Sequence, residues 1–360
     1  MVFLDYASTN PWPKYRCSDY YRPLFNVNAN YAFAEKRMLN ECEERVKKAI
    51  GAKGGKVVFG GTSSQLIENL MTAVNDANDI FHWEDNQYMT LGSYVEHDSF
   101  NRYIGHRCTD LKNLDEWLSY YSDIQTFVLW QAIQNITGEI FPTKKIGELT
   151  HKYNGFYICD GTAQIGHMPI ESNIDDWCDF WCCSGHKAGT ELGIGCCWVS
   201  DRLDKWLNGF KLHGTPNLAG TLAMTQAVED VCDIINIECH NKHWIALYKY
   251  LDHGLIDNQV KFETVDAGGC GTHCAAINAI RLPGFNARAL QSYLASKQVY
   301  VGLGQASCAD DADRRILCNG YGLIKEEADE VIRVSFGINS SINEVKMLVE
   351  QIKNFKEVYL

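Results

Sequence analysis

Positive charge is scarce in this chain. Against 45 Asp and Glu stand 33 Lys and Arg, a net charge of −12 with a pI near 5.4. No stripe of Lys or Arg overcomes that balance locally, so a nucleic-acid partner, which needs cationic side chains against its phosphates, is not expected. Long apolar runs are missing as well. No uncharged stretch approaches the roughly 18 residues of a membrane-spanning helix, so no membrane partner is expected. The opening MVFLDYASTN carries Asp5 inside its apolar run, which argues against a secretory leader. Internal repeats, low-complexity tracts and long charge runs are absent too. Cysteine is not scarce, but paired Cys-x-x-Cys elements are. The 15 cysteines are odd in number and scattered through apolar segments, which is not the pattern of a disulfide framework. They read as small buried hydrophobes kept reduced in a cytoplasmic setting. Cys178, Cys182, Cys183 and His186 crowd together, as do Cys270, His273 and Cys274. Within a strand, however, Cys182 and Cys183 point to opposite faces, and no metal site is expected.

What is present is ordinary for a globular enzyme: 46% hydrophobic and 22% charged residues over 360 positions. Residues 34–50 read as an exposed helix stopped by Gly51, and KVVF (56–59) as a buried strand that runs through GGTSSQ into a helix from Leu66. TFVLWQA (126–132), GFYICD (155–160), DFWCCS (179–184) and IGCCWV (194–199) read as further buried strands, with a helix over 144–153. Strands alternating with helices predict an α/β domain around a mostly parallel sheet covered on both faces. Beyond residue 217 helical runs come first, then shorter strands (275–281, 299–303, 331–336) and a terminal helix announced by the capping box Ser341 to Glu344. The expected organisation is a large domain over 15–250 and a smaller α+β domain built from 1–14 and 251–360.

The stretch WCCSGHKAGTELGIGCCWVS sets Lys187 between two apolar runs. Lysine is almost never fully buried without a partner, and a desolvated lysine loses its charge readily. Either the burial reading fails there or Lys187 is a nucleophile. Strand GFYICD ends in Asp160, and the carboxyl ends of strands in an open α/β sheet line the ligand crevice. An Asp and a Lys facing one crevice fit pyridoxal 5′-phosphate: the amine forms a Schiff base with the aldehyde, and the carboxylate keeps the pyridine nitrogen protonated. GGTSSQ, between a strand and a helix, offers the helix N-terminus that a phosphate needs. His97 in YVEHDSF is placed to stack on the ring. Read one at a time, Ser63 and Ser64 are equally a helix cap, His97 a core histidine and Arg333 a surface ion-pair residue.

Taken in order, FLDYASTNP, VVFGGTSSQ, EHDSF, QNITGEIFP, SGHK, HGTPN and IRVSFG resemble the segments of the class-V aminotransferase family, and within it the NifS-type cysteine desulfurases. The resemblance runs from residue 3 to about 354. It implies the PLP-dependent transferase fold type I, with a mostly parallel seven-stranded sheet in the large domain. It implies Lys187 as the Schiff-base lysine, Asp160 as the pyridinium partner and His97 as the stacking and catalytic histidine. Ser63, Ser64, Ser184 and His186 would hold the phosphate, with Asn135 near the phenolic oxygen and the substrate, and Gln164 also against the cofactor. Thr215 would reach the phosphate of a neighbouring subunit, which implies a homodimer. Arg333 would clamp the carboxylate of L-cysteine, and Cys308 would take its sulfur as a persulfide for an acceptor protein or thiol, as in iron–sulfur cluster biogenesis.

Three departures from that family pattern stand out. Its Asp-Ala-Thr-Gln becomes Asp160-Gly161-Thr162-Ala163-Gln164, so the Gln has moved by one position. Thr190-Glu191 follows the lysine where Gly-Pro is common, putting an extra acid near the entrance. The family's Gly-Ser-Ala-Cys loop becomes Gly304-Gln305-Ala306-Ser307-Cys308, with one residue inserted. That loop is expected to be exposed, with Cys318 in the apolar Ile316-Leu317-Cys318 run as a packed fallback. Selenocysteine lyase, aminotransferase, epimerase and a catalytically silent homologue are the alternatives that do not need Cys308.

Overall fold

A computed structural model describes residues 1–20, 24–80, 88–266, 272–304 and 314–359. The chain divides into two units, one of residues 12–132 and 142–236, the other of residues 1–11, 133–141 and 237–360.

The first unit is built on a seven-stranded sheet whose order across the sheet is Lys56–Gly60, Gly195–Val199, Phe180–Ser184, Phe156–Asp160, Gln125–Gln131, Tyr88–Ser93, His106–Cys108. Only Gly195–Val199 runs against its neighbours; the other pairings are parallel. Phe156–Asp160, Phe180–Ser184 and Gly195–Val199 are buried at every position. That explains their unbroken apolar sequences, since a parallel sheet covered on both faces has no solvated side to alternate with. Cys182 and Cys197 join Leu66, Leu70, Phe127 and Phe180 in one core cluster. Cys183 and Cys196 face each other across the strand pair with sulfurs 3.7 Å apart. Helix Ser63–Ile80 buries Leu66, Ile67, Leu70, Met71 and Val74 in the same cluster, a 3- and 4-residue spacing that keeps one helical face on the sheet. Helix Phe33–Ile50 ends at Gly51, whose φ of 75° places it in the left-handed region while its N–H returns to Lys47 and Lys48.

The second unit carries a five-stranded sheet in the order Val2–Leu4, Val299–Leu303, Val331–Ser335, Ile277–Arg281, Glu263–Thr264. Its first pair is parallel and the rest antiparallel. Helices Ala287–Ser296 and Ile342–Tyr359 pack together over it. The capping box forms: Ser341 N–H donates to Glu344 Oε2 at 2.7 Å, and Glu344 N–H donates to Ser341 Oγ at 3.4 Å.

Two boundaries differ from those expected. Residues 133–141, assigned above to the large domain, group with the smaller unit. Glu139–Ile140 pairs antiparallel with Thr272–His273, and Gly138 (φ 79°) approaches so closely that an added Cβ would lie 2.2 Å from the Ile277 carbonyl oxygen. The second boundary falls at Ile237, inside the continuous helix Ile234–Asp257, rather than near residue 250. The helical run from 217 is broken by Asp233 in extended conformation, leaving Leu218–Cys232 as a separate helix.

Asp179 ties the amino ends of Phe156–Asp160 and Phe180–Ser184 to the carboxyl end of Gly195–Val199. Its buried carboxylate accepts from Tyr157 N–H (2.9 Å), Ser200 Oγ (3.1 Å), His151 Nε2 (2.8 Å) and both Nε and Nη2 of Arg202 (3.0 and 2.8 Å). Burial alone would raise this carboxyl, but the bonds from His151 and Arg202 together hold it below its usual range. A carboxylate depressed on folding stabilises above its unfolded pKa and loses that contribution as pH falls through its folded value. Asp179→Asn is expected to cost about 3 kcal/mol in urea unfolding at pH 7. The gap from wild type should narrow below about pH 4. A gap that is constant with pH would show that the charge plays no part.

Candidate active site

Parallel pairing brings the last residues of several strands to one edge of the seven-stranded sheet. Gln131 is in register with Asp160, Asp160 with Cys182, and both Ser184 and Gly60 with Gly195. Candidate chemistry gathers along that edge.

Lys187 sits in a single helical turn, Gly185–Ala188, that follows directly on the buried strand ending in Ser184. The flanking strands are buried as read, but the lysine itself is half-buried at the sheet edge. Gly189, with φ 99°, ends the turn, and Thr190 N–H closes it onto the Gly185 carbonyl at 3.0 Å. Beside the lysine, the His186 imidazole is pushed down to about 4 by burial and then by the Lys187 charge, so it is neutral at pH 7.

Asp160 is 6% exposed. Its Oδ1 accepts from Thr162 N–H at 2.9 Å, which leaves Oδ2 without a hydrogen bond among the described residues. The Thr162 hydroxyl next to it is buried and lacks a partner among the described residues. Ser63 and Ser184 meet at the start of helix Ser63–Ile80, their hydroxyls 2.8 Å apart and the Ser63 N–H donating to Ser184 Oγ at 2.9 Å. Thr62, rather than either serine, supplies the side-chain cap, accepting from Gln65 N–H at 3.1 Å. Ser63 is therefore not needed for the cap; Ser64 is half-buried in the same first turn. His97 caps the short helix Asp98–Asn101, its Nδ1 accepting from Ser99 N–H at 3.2 Å, which makes Nε2 the N–H end of a neutral ring. The segment is tied to the sheet edge by Gln131, whose side chain donates to the Val95 carbonyl (2.6 Å) and whose N–H donates to Glu96 Oε2 (2.9 Å). Glu96 and Thr162 were not singled out from sequence. A glutamate immediately before the candidate ring-stacking histidine was the available signal for the first, and the structure buries it fully.

Gln164 is a correction. It is fully buried, with Oε1 accepting from the Trp181 indole (3.0 Å) and Nε2 donating to the Pro169 carbonyl (3.2 Å). Both ends of its amide are engaged by the protein, so it leaves the cofactor set. The same indole explains Gly161: a Cβ there would stand 2.1 Å from Trp181 Nε1. Glu191, the extra acid, accepts from the Cys17 N–H at 2.9 Å, and the Tyr15–Thr190 bridge joins the same N-terminal segment to the lysine loop. Thr215 is exposed, accepts from Asn26 Nδ2 at 3.4 Å, and stands on the rim of a cavity of about 360 Å³ that Gly60, Gly61, Gln65 and Ile194 also line.

Asn135 and Arg333 belong to the other unit, where Arg333 Nη1 donates to the Asn135 carbonyl at 2.9 Å. Cys308 lies outside the described residues. Cys318, half-buried just past it in sequence, has its thiol raised by burial, which Arg314 opposes and Asp329 and Glu326 reinforce. Burial pushes the Cys178, Cys182, Cys183 and Cys197 thiols well above their usual range, so none of these is a thiolate at neutral pH.

The Aminotransferase class-V family profile matches residues 102–348. A cysteine desulfurase of Synechococcus elongatus is 26% identical over 270 residues, 68% of this chain but only 40% of that protein. A probable mitochondrial cysteine desulfurase of Dictyostelium discoideum is 22% identical over 98% of this chain and 82% of its own. Among solved structures, a NifS-like protein from Rickettsia africae superposes with a TM-score of 0.78 at 19% identity, covering 99% of this chain and all of that one. The fold is thus the PLP-dependent transferase fold type I, and pyridoxal 5′-phosphate is the family's cofactor. The residues present fit it. The spare oxygen of Asp160, the unpartnered Thr162 hydroxyl, the serine pair at an 18-residue helix N-terminus and Lys187 are the donors and acceptors such a group requires.

Two substitutions separate cofactor contacts from structural ones. Ser184→Ala is expected to weaken retention of pyridoxal phosphate about tenfold in equilibrium dialysis, the scale of one charge-assisted hydrogen bond. Gln164→Ala should lower the thermal midpoint, because it strips the Trp181 indole of its acceptor, while leaving that affinity within about twofold. The reverse pattern would put Gln164 back against the cofactor.

Proposed function

The chain belongs to the class-V aminotransferase family, and on that premise we propose that it is a PLP-dependent cysteine desulfurase of the NifS type. The observation that carries the reading is the sheet edge itself, along which a lysine, a carboxylate with a spare oxygen and a serine pair at a helix N-terminus gather. The relatives' names support the choice of reaction.

Ser63, Ser64 and Ser184 would hold the phosphate through hydroxyls and the first N–H groups of helix Ser63–Ile80, where the helix dipole favours an anion. His186, neutral when the site is empty, would join as a hydrogen-bonding partner. When bound, the cofactor supplies an electron sink for charge developing at the substrate's α-carbon. Asp160 would keep a proton on the ring nitrogen through Oδ2, and Thr162 N–H would hold the carboxylate in place from Oδ1. His97 would cover the ring face, its tilt fixed by Ser99. Lys187 would move protons at the substrate's α-carbon, at the end of a short turn that Thr190 closes. Arg333 would take the substrate carboxylate, and Asn135 would sit beside the substrate. Cys308 as thiolate would attack the substrate sulfur: an S–S bond forms, the C–S bond breaks, and its electron pair passes to the substrate carbon, which after protonation leaves as alanine. Cys308 is oxidised to the persulfide and hands the sulfur to an acceptor protein or thiol, a supply suited to iron–sulfur cluster assembly.

A homodimer is part of this reading. Exposed Phe25, Tyr31, Phe33 and Leu192, together with exposed Thr215, offer apolar and polar surface for a second copy. A reducing, cytoplasmic compartment accords with the thirteen cysteines among the described residues, all of them free thiols.

Incubation of the holoenzyme with L-cysteine and a thiol reductant is expected to yield alanine and sulfide in equal amounts. Asp160→Asn should bring both to near background with cofactor still bound. Cys308→Ala should stop alanine release and leave no cysteine persulfidated by mass spectrometry. Pyruvate-dependent amino transfer without sulfide would replace the desulfurase with an aminotransferase, and alanine production undiminished in Cys308→Ala would remove that residue as nucleophile.

A further inference from the structure

Arg333 is 7% exposed, and a buried guanidinium needs an opposite charge close by. It has one before any substrate arrives. Nη2 contacts Asp5 Oδ1 at 2.8 Å, while Nη1 donates to the Asn135 carbonyl at 2.9 Å. Nε is buried and has no hydrogen-bond partner among the described residues. The pair is therefore incomplete. A carboxylate bound to arginine at full strength offers both oxygens to two parallel N–H groups, whereas Asp5 reaches the guanidinium with one oxygen.

The surrounding backbone is shaped to admit this contact. Asp5 follows the edge strand Val2–Leu4 and bridges to Ser335, two residues from Arg333 in the same strand. The Ala7 N–H donates to Ser335 Oγ at 2.9 Å, which anchors the N-terminal segment beside the arginine. Across the strand pair, Gly302 is in register with Arg333. A Cβ at Gly302 would lie 2.5 Å from Asp5 Oδ1 and 2.8 Å from Arg333 Nε, so a larger residue there would occupy the space in which the two charges meet. The Asp5 side chain is 20% exposed against 8% for Arg333, so the carboxylate has access to water if it lets go.

We propose that Asp5 is a resident carboxylate that occupies Arg333 in the ligand-free enzyme and yields it to the carboxylate of the amino-acid substrate. This rests on the reading of Arg333 as the substrate clamp. Asp5 keeps a buried cation neutralised between turnovers, and the incoming carboxylate must outcompete it for Nη2. Two carboxylates crowded against one guanidinium nitrogen repel each other through their like charges. Asp5 is thus a positioning residue that sets the affinity for the substrate and penalises ligands able to make only one oxygen contact.

The test compares the holoenzyme's affinity for L-alanine, which carries the carboxylate, with its affinity for cysteamine, which lacks it, by spectral titration. In Asp5→Asn, L-alanine is expected to bind about tenfold more tightly, the scale of removing one charged competitor. Cysteamine affinity should stay as in wild type. L-alanine binding that is unchanged or weaker, or an equal gain for both ligands, overturns the proposal and leaves Asp5 a structural partner. If Asp5→Asn does not fold, Asp5→Glu, which keeps the charge and reaches further, should weaken L-alanine without affecting cysteamine; tighter or equal L-alanine binding there is equally fatal. Arg333→Lys separates the underlying reading. It should weaken L-alanine about tenfold or more by losing the fork geometry. Wild-type affinity in that variant removes Arg333 as the clamp, whatever Asp5 does.

Discussion

Parallel strand pairing is the constraint from which the chemistry of the larger unit follows. Because Gln125–Gln131, Phe156–Asp160 and Phe180–Ser184 run the same way, their carboxyl ends, and with them Gln131, Asp160 and Ser184, are delivered to one edge. The single reversed strand, Gly195–Val199, begins at that same edge and brings Gly195 against Ser184 on one side and Gly60 on the other. The turn from Gly60 into helix Ser63–Ile80 therefore opens beside the turn that carries Lys187. The Ser63–Ser184 bond is the visible consequence. The serine pair, the Asp160 carboxylate and the Lys187 turn reach one edge with no long-range folding device beyond the sheet itself.

The same burial that makes the edge also quiets the chain's many thiols. Cys182 and Cys197 serve the core on one face of the sheet, while Cys183 and Cys196 pack against one another on the other, in keeping with strand alternation. Desolvation keeps the Cys182, Cys183 and Cys197 sulfurs protonated.

The strands of the larger sheet were legible because sequences such as FWCCS and GCCWV have no polar alternation, and burial on both faces is what removes it. Asp160 and Ser184 stood out for a related reason, as polar residues that end apolar strands, and Lys187 as the charge in the turn that follows. Gln164 was misplaced because its environment is set by Trp181, a residue on the neighbouring strand whose indole fills the space above Gly161 and draws in the amide. No local pattern announces such a cross-strand contact. Residues 133–141 were assigned to the wrong unit for a comparable reason, since a two-residue strand pairs with a partner more than a hundred residues away. Asp5 was read only as a charge interrupting an apolar run; its partner, Arg333, is 328 positions distant.

The central claim is that Lys187, at the end of the turn from Ser184, is where the cofactor becomes covalently attached. Borohydride reduction of the holoenzyme, followed by proteolysis and mass spectrometry, tests it directly. A single phosphopyridoxyl group on the peptide that contains Lys187 is the predicted result. A group found on any other lysine, or none on a protein that has bound the cofactor, would contradict the account.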